Sequence, residues 1–183
     1  MIGLDNDTVL LEEHQTMWEE AAAETVSLLK TILKGAAVDV QHVGSTSIRG
    51  ISAKPIIDIA VGLNDTDDIK LFIPLLAENG IIYRKRFWEQ HEFFVIGDLE
   101  KNIKTHHIHA VKWDGKDWNE YVNFRDYLNA MPEKAKQYNA LKHQLAEKFC
   151  YDRVSYTDGK AEMIQILLKE AECWRKSKAV DQK

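Results

Sequence analysis

The segment Pro55-Ile56-Ile57-Asp58-Ile59-Ala60-Val61 sets a single carboxylate inside an otherwise apolar run. Near-continuous Ile and Val over residues 55–63 suit a strand covered on both faces. An acid in such a strand is expensive to bury unless a cation, a metal or hydrogen-bond donors meet it. Any fold of this chain must therefore bring a partner to Asp58. Just upstream, a shorter strand at 38–43 runs into Gly44-Ser45-Thr46-Ser47-Ile48-Arg49-Gly50, a turn that joins the two strands.

The rest of the chain supplies a cover. Met17, Trp18, Ala21, Val26, Leu29, Ile32 and Leu33 recur at helical spacing over 14–34, and Gly35 offers a left-handed stop. Asp65-Thr66-Asp67-Asp68 provides N-cap oxygens for a helix through Ile69, Phe72, Leu75 and Leu76, closed by Asn79-Gly80. Strands are predicted at 81–87, 93–96 and 104–112, then helices around 118–128, at 132–149 and at 158–176. Strands followed by a helical block predict an α+β (mixed α/β) class, a mixed sheet covered by helices. No linker or repeat divides residues 1–183, so one domain is expected, with its helical part at about 115–176 and a loose end at 179–183. Trp18, Trp113, Trp118 and Trp174 are expected to anchor the core or a groove.

A net charge of -5 gives no general attraction to nucleic-acid phosphate, so nucleic acid is not an expected partner. Arg49, Lys54, Arg84, Lys85 and Arg86 can still draw in a small anion. No apolar run approaches a membrane span, which argues against a membrane partner. Acids at Asp5 and Asp7 stand where a secretory leader carries Lys or Arg, and Cys150 and Cys173 lack metal or disulfide spacing. A cytoplasmic location with two reduced thiols is expected. Oligomeric state is not legible at this level.

Three constellations carry chemistry. Gly44 and Gly50 bracket Ser45, Thr46 and Ser47, so backbone N–H groups and hydroxyls can hold a phosphate; a tight turn that caps a following helix has the same composition. Lys54 follows Gly50 by four residues, which is not Walker A spacing, and no G-x-S-x-G is present. Asp58 shares a strand face with Ala60; it suits a divalent ion held against phosphates, or local N–H groups. In Thr105-His106-His107-Ile108-His109, alternation sends His107 and His109 to one face. The pair can ligate a metal, carry protons, donate to phosphate, or serve as structural histidines, and with Asp58 it completes a two-His-one-carboxylate set. Arg125, Lys142 and Lys160 in the helical part are phosphate-clamp candidates or plain surface charges.

Read in order, His42-Val43-Gly44-Ser45-Thr46-Ser47-Ile48, Ala53-Lys54-Pro55-Ile56-Ile57-Asp58-Ile59, Thr105-His106-His107-Ile108-His109 and Phe124-Arg125-Asp126-Tyr127-Leu128 resemble the GrpB family, also called UPF0157, over residues 9–174. The resemblance implies a nucleotidyltransferase fold with Gly44 and Ser45 in its Gly-Ser loop and Asp58 as the first metal-binding carboxylate. It also implies a nucleotide or phosphorylated small molecule as partner, with Mg²⁺ or Mn²⁺ as the ion. Asp58, His107 and His109 are then the catalytic and metal residues, and Gly44, Ser45, Thr46, Ser47, Lys54, Arg125, Lys142 and Lys160 the phosphate-binding set. Active members of the superfamily carry a second acid two residues on and a third on a later strand; here those places hold Ala60 and the two histidines. Two-metal phosphoryl transfer needs anionic oxygens around both ions. Arg49 replaces the family's usual Pro, which is expected to loosen the loop and add a cation beside a bound phosphate. Metal-assisted nucleotide binding with nucleotidyl transfer, a non-catalytic binding or regulatory module, and a His/Asp transition-metal enzyme are the three readings.

Overall fold

A computed structural model describes residues 1–5, 8–85 and 90–180, the side chains of 179 and 180 apart. Arg86, and Phe87 at the end of the strand predicted for 81–87, lie outside the described residues, as do 181–183. In chain order the elements are β1 (Leu4–Asp5), α1 (Thr16–Leu33), β2 (Ala37–Val43), a 3-10 turn (Ser45–Ser47), β3 (Ile57–Leu63), a 3-10 segment (Thr66–Phe72) and α2 (Ile73–Glu78). They continue with β4 (Ile82–Tyr83), β5 (His91–Ile96), β6 (Ile103–Lys104), β7 (His106–Lys112), α3 (Lys116–Ala130), α4 (Pro132–Lys148), α5 (Arg153–Asp158) and α6 (Ala161–Val180).

Five strands form one mixed sheet in the order β2-β3-β7-β5-β4, in which β3 and β7 are parallel and the other pairs antiparallel. β1 and β6 make a separate two-stranded pair. On one sheet face Ile57, Ile59 and Val61 of β3, Ile108 and Ala110 of β7 and Phe94 of β5 join Trp18, Ala22, Leu29 and Leu33 of α1 in the main core. The stripe of apolar residues on α1 is thus explained by one face of the sheet. On the opposite face Val43, Ala60 and Val111 meet Trp118 of α3, with Trp113 and Tyr121 packed alongside. Gly62 is required there, since a β-carbon would lie 2.6 Å from the Trp113 ring and 3.0 Å from that of Trp118. A third cluster joins Ile48 and Ile51 of the β2–β3 loop to Tyr127, Leu128, Tyr138 and Leu167 of the C-terminal helices.

Several boundaries differ from the sequence expectation for identifiable reasons. The strand predicted over 104–112 breaks at Thr105, whose N–H and Oγ1 both donate to the Ile96 carbonyl, and β6 turns away to pair with β1. Alternation alone does not say which partner a strand chooses. The helix predicted after Asp65 begins as a 3-10 segment, with the Asp65 carboxylate accepting from Asp67 N–H. Pro74 has no N–H to return to Lys70, so α2 starts afresh at Ile73. The short α5, capped by Asp152, which accepts from Ser155 N–H, has no counterpart among the predicted helices, and the last predicted helix, 158–176, corresponds to α6, which starts at Ala161. Its helical backbone continues to Val180, beyond the loose end expected from 179 onward.

The β2–β3 loop is pinned rather than loose. Asn129 of α3 donates to the Ser47 carbonyl and accepts from Arg49 N–H, and Asn139 of α4 accepts from Ser52 N–H. A proline at 49 could not donate that hydrogen bond, so the Arg49 backbone contributes an anchor. At the start of the loop Gly44 has φ 70° and ψ -172°, a conformation open essentially to glycine alone. Its β-carbon position is also taken, lying 2.8 Å from the Asp58 β-carbon. Gly44→Ala is expected to lower stability by about 3 kcal/mol, measured by urea denaturation; a loss no larger than that of Gly35→Ala, where a β-carbon meets nothing within 4 Å, would contradict the close approach to Asp58.

Two histidines, His106 buried and His42 half-buried, make stability depend on pH. Burial holds His42 and His106 down at about 4, against an ordinary 6.5. Each neutral ring lies against threonine hydroxyls, His42 Nε2 2.9 Å from Thr46 Oγ1 and His106 Nε2 3.2 Å from Thr25 Oγ1. Because the folded values are the lower ones, the unfolded chain takes up protons first as pH falls. Their contribution is complete above about pH 6.5 and is lost progressively down to about pH 4, on the order of 2–3 kcal/mol per ring. Denaturant midpoints are therefore expected to drop between pH 7 and 4.5, less steeply in His106→Gln; midpoints that stay level across this range would contradict it.

Candidate functional site

Strand register assembles the site. Asp58 of β3 lies opposite Val43 on one side and His107 on the other, and Ala60 lies opposite His109. Asp58, Ala60, His107 and His109 thus share the sheet face turned toward the C-terminal helices. His107 Nδ1 is 3.2 Å from Asp58 Oδ1, and His109 Nε2 is 3.8 Å from the same oxygen. One ligand atom from each of the three residues falls within 4.8 Å of the others. Burial alone would raise the Asp58 carboxyl, but the hydrogen bond from His107 and the nearby His109 ring hold it well below the usual carboxylate range. Burial pushes His107 down, against the pull of Asp58, so the ring is a neutral Nδ1–H donor to an ionised carboxylate.

His109 has further partners. Its Nδ1 lies 3.0 Å from His91 Nε2 and 3.2 Å from the Tyr121 hydroxyl, while His91 Nδ1 lies 3.2 Å from Asp117 Oδ2. Phe93, paired with His109 across β5 and β7, packs its ring against both His107 and His109.

Cations also gather near Asp58. Lys54 and Lys160 place their ammonium groups over one ring, Tyr156, at 5.3 and 4.2 Å from its centre. Burial, aided by mutual repulsion and by Arg153, lowers Lys54 to about 7. Burial likewise lowers Lys160 to about 8, with Asp58 opposing and Arg153 adding to the shift. Among the described residues no carboxylate or carbonyl accepts a hydrogen bond from either ammonium. Asp58 is thus within electrostatic reach of both ammonium groups.

The remaining candidates are placed differently. Of the three loop hydroxyls, Ser47 donates to the Gly44 carbonyl at 2.6 Å, Thr46 is fully buried against His42, and Ser45 is hydrogen-bonded to Tyr138. The turn therefore uses Thr46 and Ser47 on itself, and Gly44 provides the clearance for Asp58. Lys142 is 1% exposed and donates to the Ser52 carbonyl; burial lowers it to about 7. It supports the loop from beneath, beside the Tyr138 ring at 4.9 Å. Arg125 donates to Gln41 Oε1 and the His42 carbonyl, both at 2.8 Å, and pairs with Asp126. It fastens β2 to α3, within the lining of a separate 580 Å³ cavity that also includes Arg49 and Glu19. Arg49 itself is exposed and paired with Glu19 at 3.2 Å, instead of standing beside Asp58.

His91, Asp117, Tyr121 and Arg153 were not identified from sequence. The alternation of His91 with Phe93 and Val95 carries a faint signal for the first. The others sit on helices whose orientation no local pattern reveals.

Comparison with known proteins places this geometry. The family model described as GrpB protein matches residues 8–170. The glutamate-rich protein GrpB of Alkalihalophilus pseudofirmus is 40% identical over 173 residues, covering 93% of this chain and 99% of that protein. A UPF0157 protein of Pseudomonas aeruginosa is 32% identical over 91% of this chain and 69% of its own length. Among solved structures, the conserved protein GrpB from Enterococcus faecalis superimposes with a TM-score of 0.82 at 31% identity, over 90% of this chain and 99% of that one. A cytoplasmic RNA terminal U-transferase matches with a TM-score of 0.52 at 13% identity, over 75% of this chain and 41% of that one, a likeness of fold. The mixed sheet with its helices is of the nucleotidyltransferase kind, and the chain belongs to the GrpB family.

Proposed function

We propose that the protein binds a nucleotide or another phosphorylated small molecule over Asp58, together with one divalent ion such as Mg²⁺ or Mn²⁺. The observation that carries this reading is the pair of ammonium groups, Lys54 and Lys160, which share the Tyr156 ring, find no protein oxygen acceptor among the described residues and lie within electrostatic reach of Asp58. Partly buried cations without acceptors are costly. A phosphate supplies both the missing charge and the missing oxygens. Asp58, His107 and His109 would hold the ion, which would neutralise charge on a phosphate oxygen; Ser45 would orient an oxygen at the loop. Lys54 and Lys160, protonated on binding, would hold the rest of the anion.

Nucleotidyl transfer is the finer claim, and Ala60 weighs against its two-metal form. A carboxylate at that place would enter the apolar group of Val43, Val111 and Trp118. A binding or regulatory role is thus the second reading. Labelled nucleoside triphosphates incubated with cell extract separate the two: product that forms with the wild type and disappears in Asp58→Asn would favour transfer, and no product supports binding alone.

Titration calorimetry against ATP, other nucleotides and sugar phosphates, with and without Mn²⁺, tests binding. Asp58→Ala is expected to lose the metal-dependent part, and Lys160→Met to weaken affinity by on the order of tenfold. Since Lys54 and Lys160 lose protons as pH rises through about 7 and 8, affinity is expected to fall between pH 6.5 and 9. No binding by the wild type, or binding indifferent to both substitutions, would sink the proposal.

A further inference from the structure

A line of four side chains runs into the site from α3. Asp117 Oδ2 stands 3.2 Å from His91 Nδ1, His91 Nε2 stands 3.0 Å from His109 Nδ1, and His109 Nε2 faces Asp58 Oδ1 at 3.8 Å. An ionised carboxylate only accepts hydrogen bonds. The single ring hydrogen of a neutral His91 therefore sits on Nδ1, toward Asp117, and its Nε2 presents a lone pair. That lone pair is satisfied when His109 Nδ1 carries the hydrogen, and the Tyr121 oxygen at 3.2 Å offers a second acceptor to the same atom. His109 Nε2 is then left bare and directed at an anionic oxygen. Two acceptors opposed in this way repel unless a cation stands between them, and two metal–ligand bonds of about 2.1 Å span the separation.

We infer that Asp117 and His91 are positioning residues that fix His109 in the tautomer ligating through Nε2, so that the site takes a first-row transition-metal dication in preference to Mg²⁺. Two imidazoles with one carboxylate suit such ions, whereas Mg²⁺ prefers an oxygen shell. Histidine ligands are commonly oriented through the other ring nitrogen in this manner. The ring packing of His91 against His109 and Tyr121, at 5.2 and 6.4 Å between centres, keeps the line in place. This inference rests on the proposed ion at Asp58 and adds its identity and the means of its selection.

The test is Co²⁺ titration of the metal-stripped full chain, followed by visible absorption and by competition with Mg²⁺. His91→Phe is expected to weaken Co²⁺ binding by about 10- to 100-fold and to alter the absorption band. Asp117→Leu, an exposed change that spares the fold, is expected to weaken it by about tenfold, and Asp117→Asn, which keeps an acceptor oxygen, to restore it. Mg²⁺ affinity is expected to change less than Co²⁺ affinity in His91→Phe and Asp117→Leu, because Mg²⁺ depends more on the Asp58 oxygen. Co²⁺ affinity equal to wild type in both His91→Phe and Asp117→Leu would overturn the inference. So would a wild type that takes no Co²⁺ yet still binds nucleotide with Mg²⁺, an outcome that leaves the phosphate-ligand proposal standing.

Discussion

A half-buried carboxylate on an inner strand governs the arrangement of this molecule. Asp58 is tolerable on β3 because the register with β7 brings His107 within 3.2 Å and because the register with β2 sets Gly44, which has no side chain, against it. The β2–β3 loop is held where it is by amides from α3 and α4. The C-terminal helices thereby do two things at once. They close the sheet face that α1 leaves open, and they carry Arg153, Tyr138, Tyr156 and Lys160 to the acid.

The same packing limits the chemistry. Ala60 and Gly62 continue the Asp58 face along β3, and their small size lets Trp113 and Trp118 lie against the sheet. An acid at 60 would displace that contact and itself be desolvated among apolar groups. The chain thus has one carboxylate and two imidazoles where a two-metal centre needs several carboxylates. Charge balance points the same way: a lone acid with two imidazoles beside it and ammonium groups nearby suits one small dication and an anionic ligand.

Much of this was legible in the sequence, and the limits were physical. Period-two alternation put Asp58 with Ala60 and His107 with His109, because side-chain direction in a strand is a local property. The helical spacing in α1 and the Gly-Ser turn were equally local. Alternation could not reveal that β3 and β7 are neighbours, nor that Thr105 divides β6 from β7. Residues judged by charge alone fared unevenly. Lys54 and Lys160 reach the Asp58 side, whereas Arg125 is taken up by Gln41 and the His42 carbonyl and Lys142 by Ser52. Which cations a protein spends on its own carbonyls depends on helix packing, which the spacing of residues does not encode. His91 escaped notice for the same reason, since its importance comes from its position between Asp117 and His109.

The central claim is that one dication, held by Asp58 and the paired histidines, faces a phosphate held by Lys54 and Lys160. Anomalous diffraction from crystals grown with Mn²⁺ and a non-hydrolysable nucleoside triphosphate tests it most directly. The account predicts one anomalous peak within bonding distance of Asp58 and His109, with phosphate oxygens toward Lys54 and Lys160. Two peaks near Asp58, or a peak and ligand bound elsewhere with Asp58 still hydrogen-bonded only to His107, would contradict it.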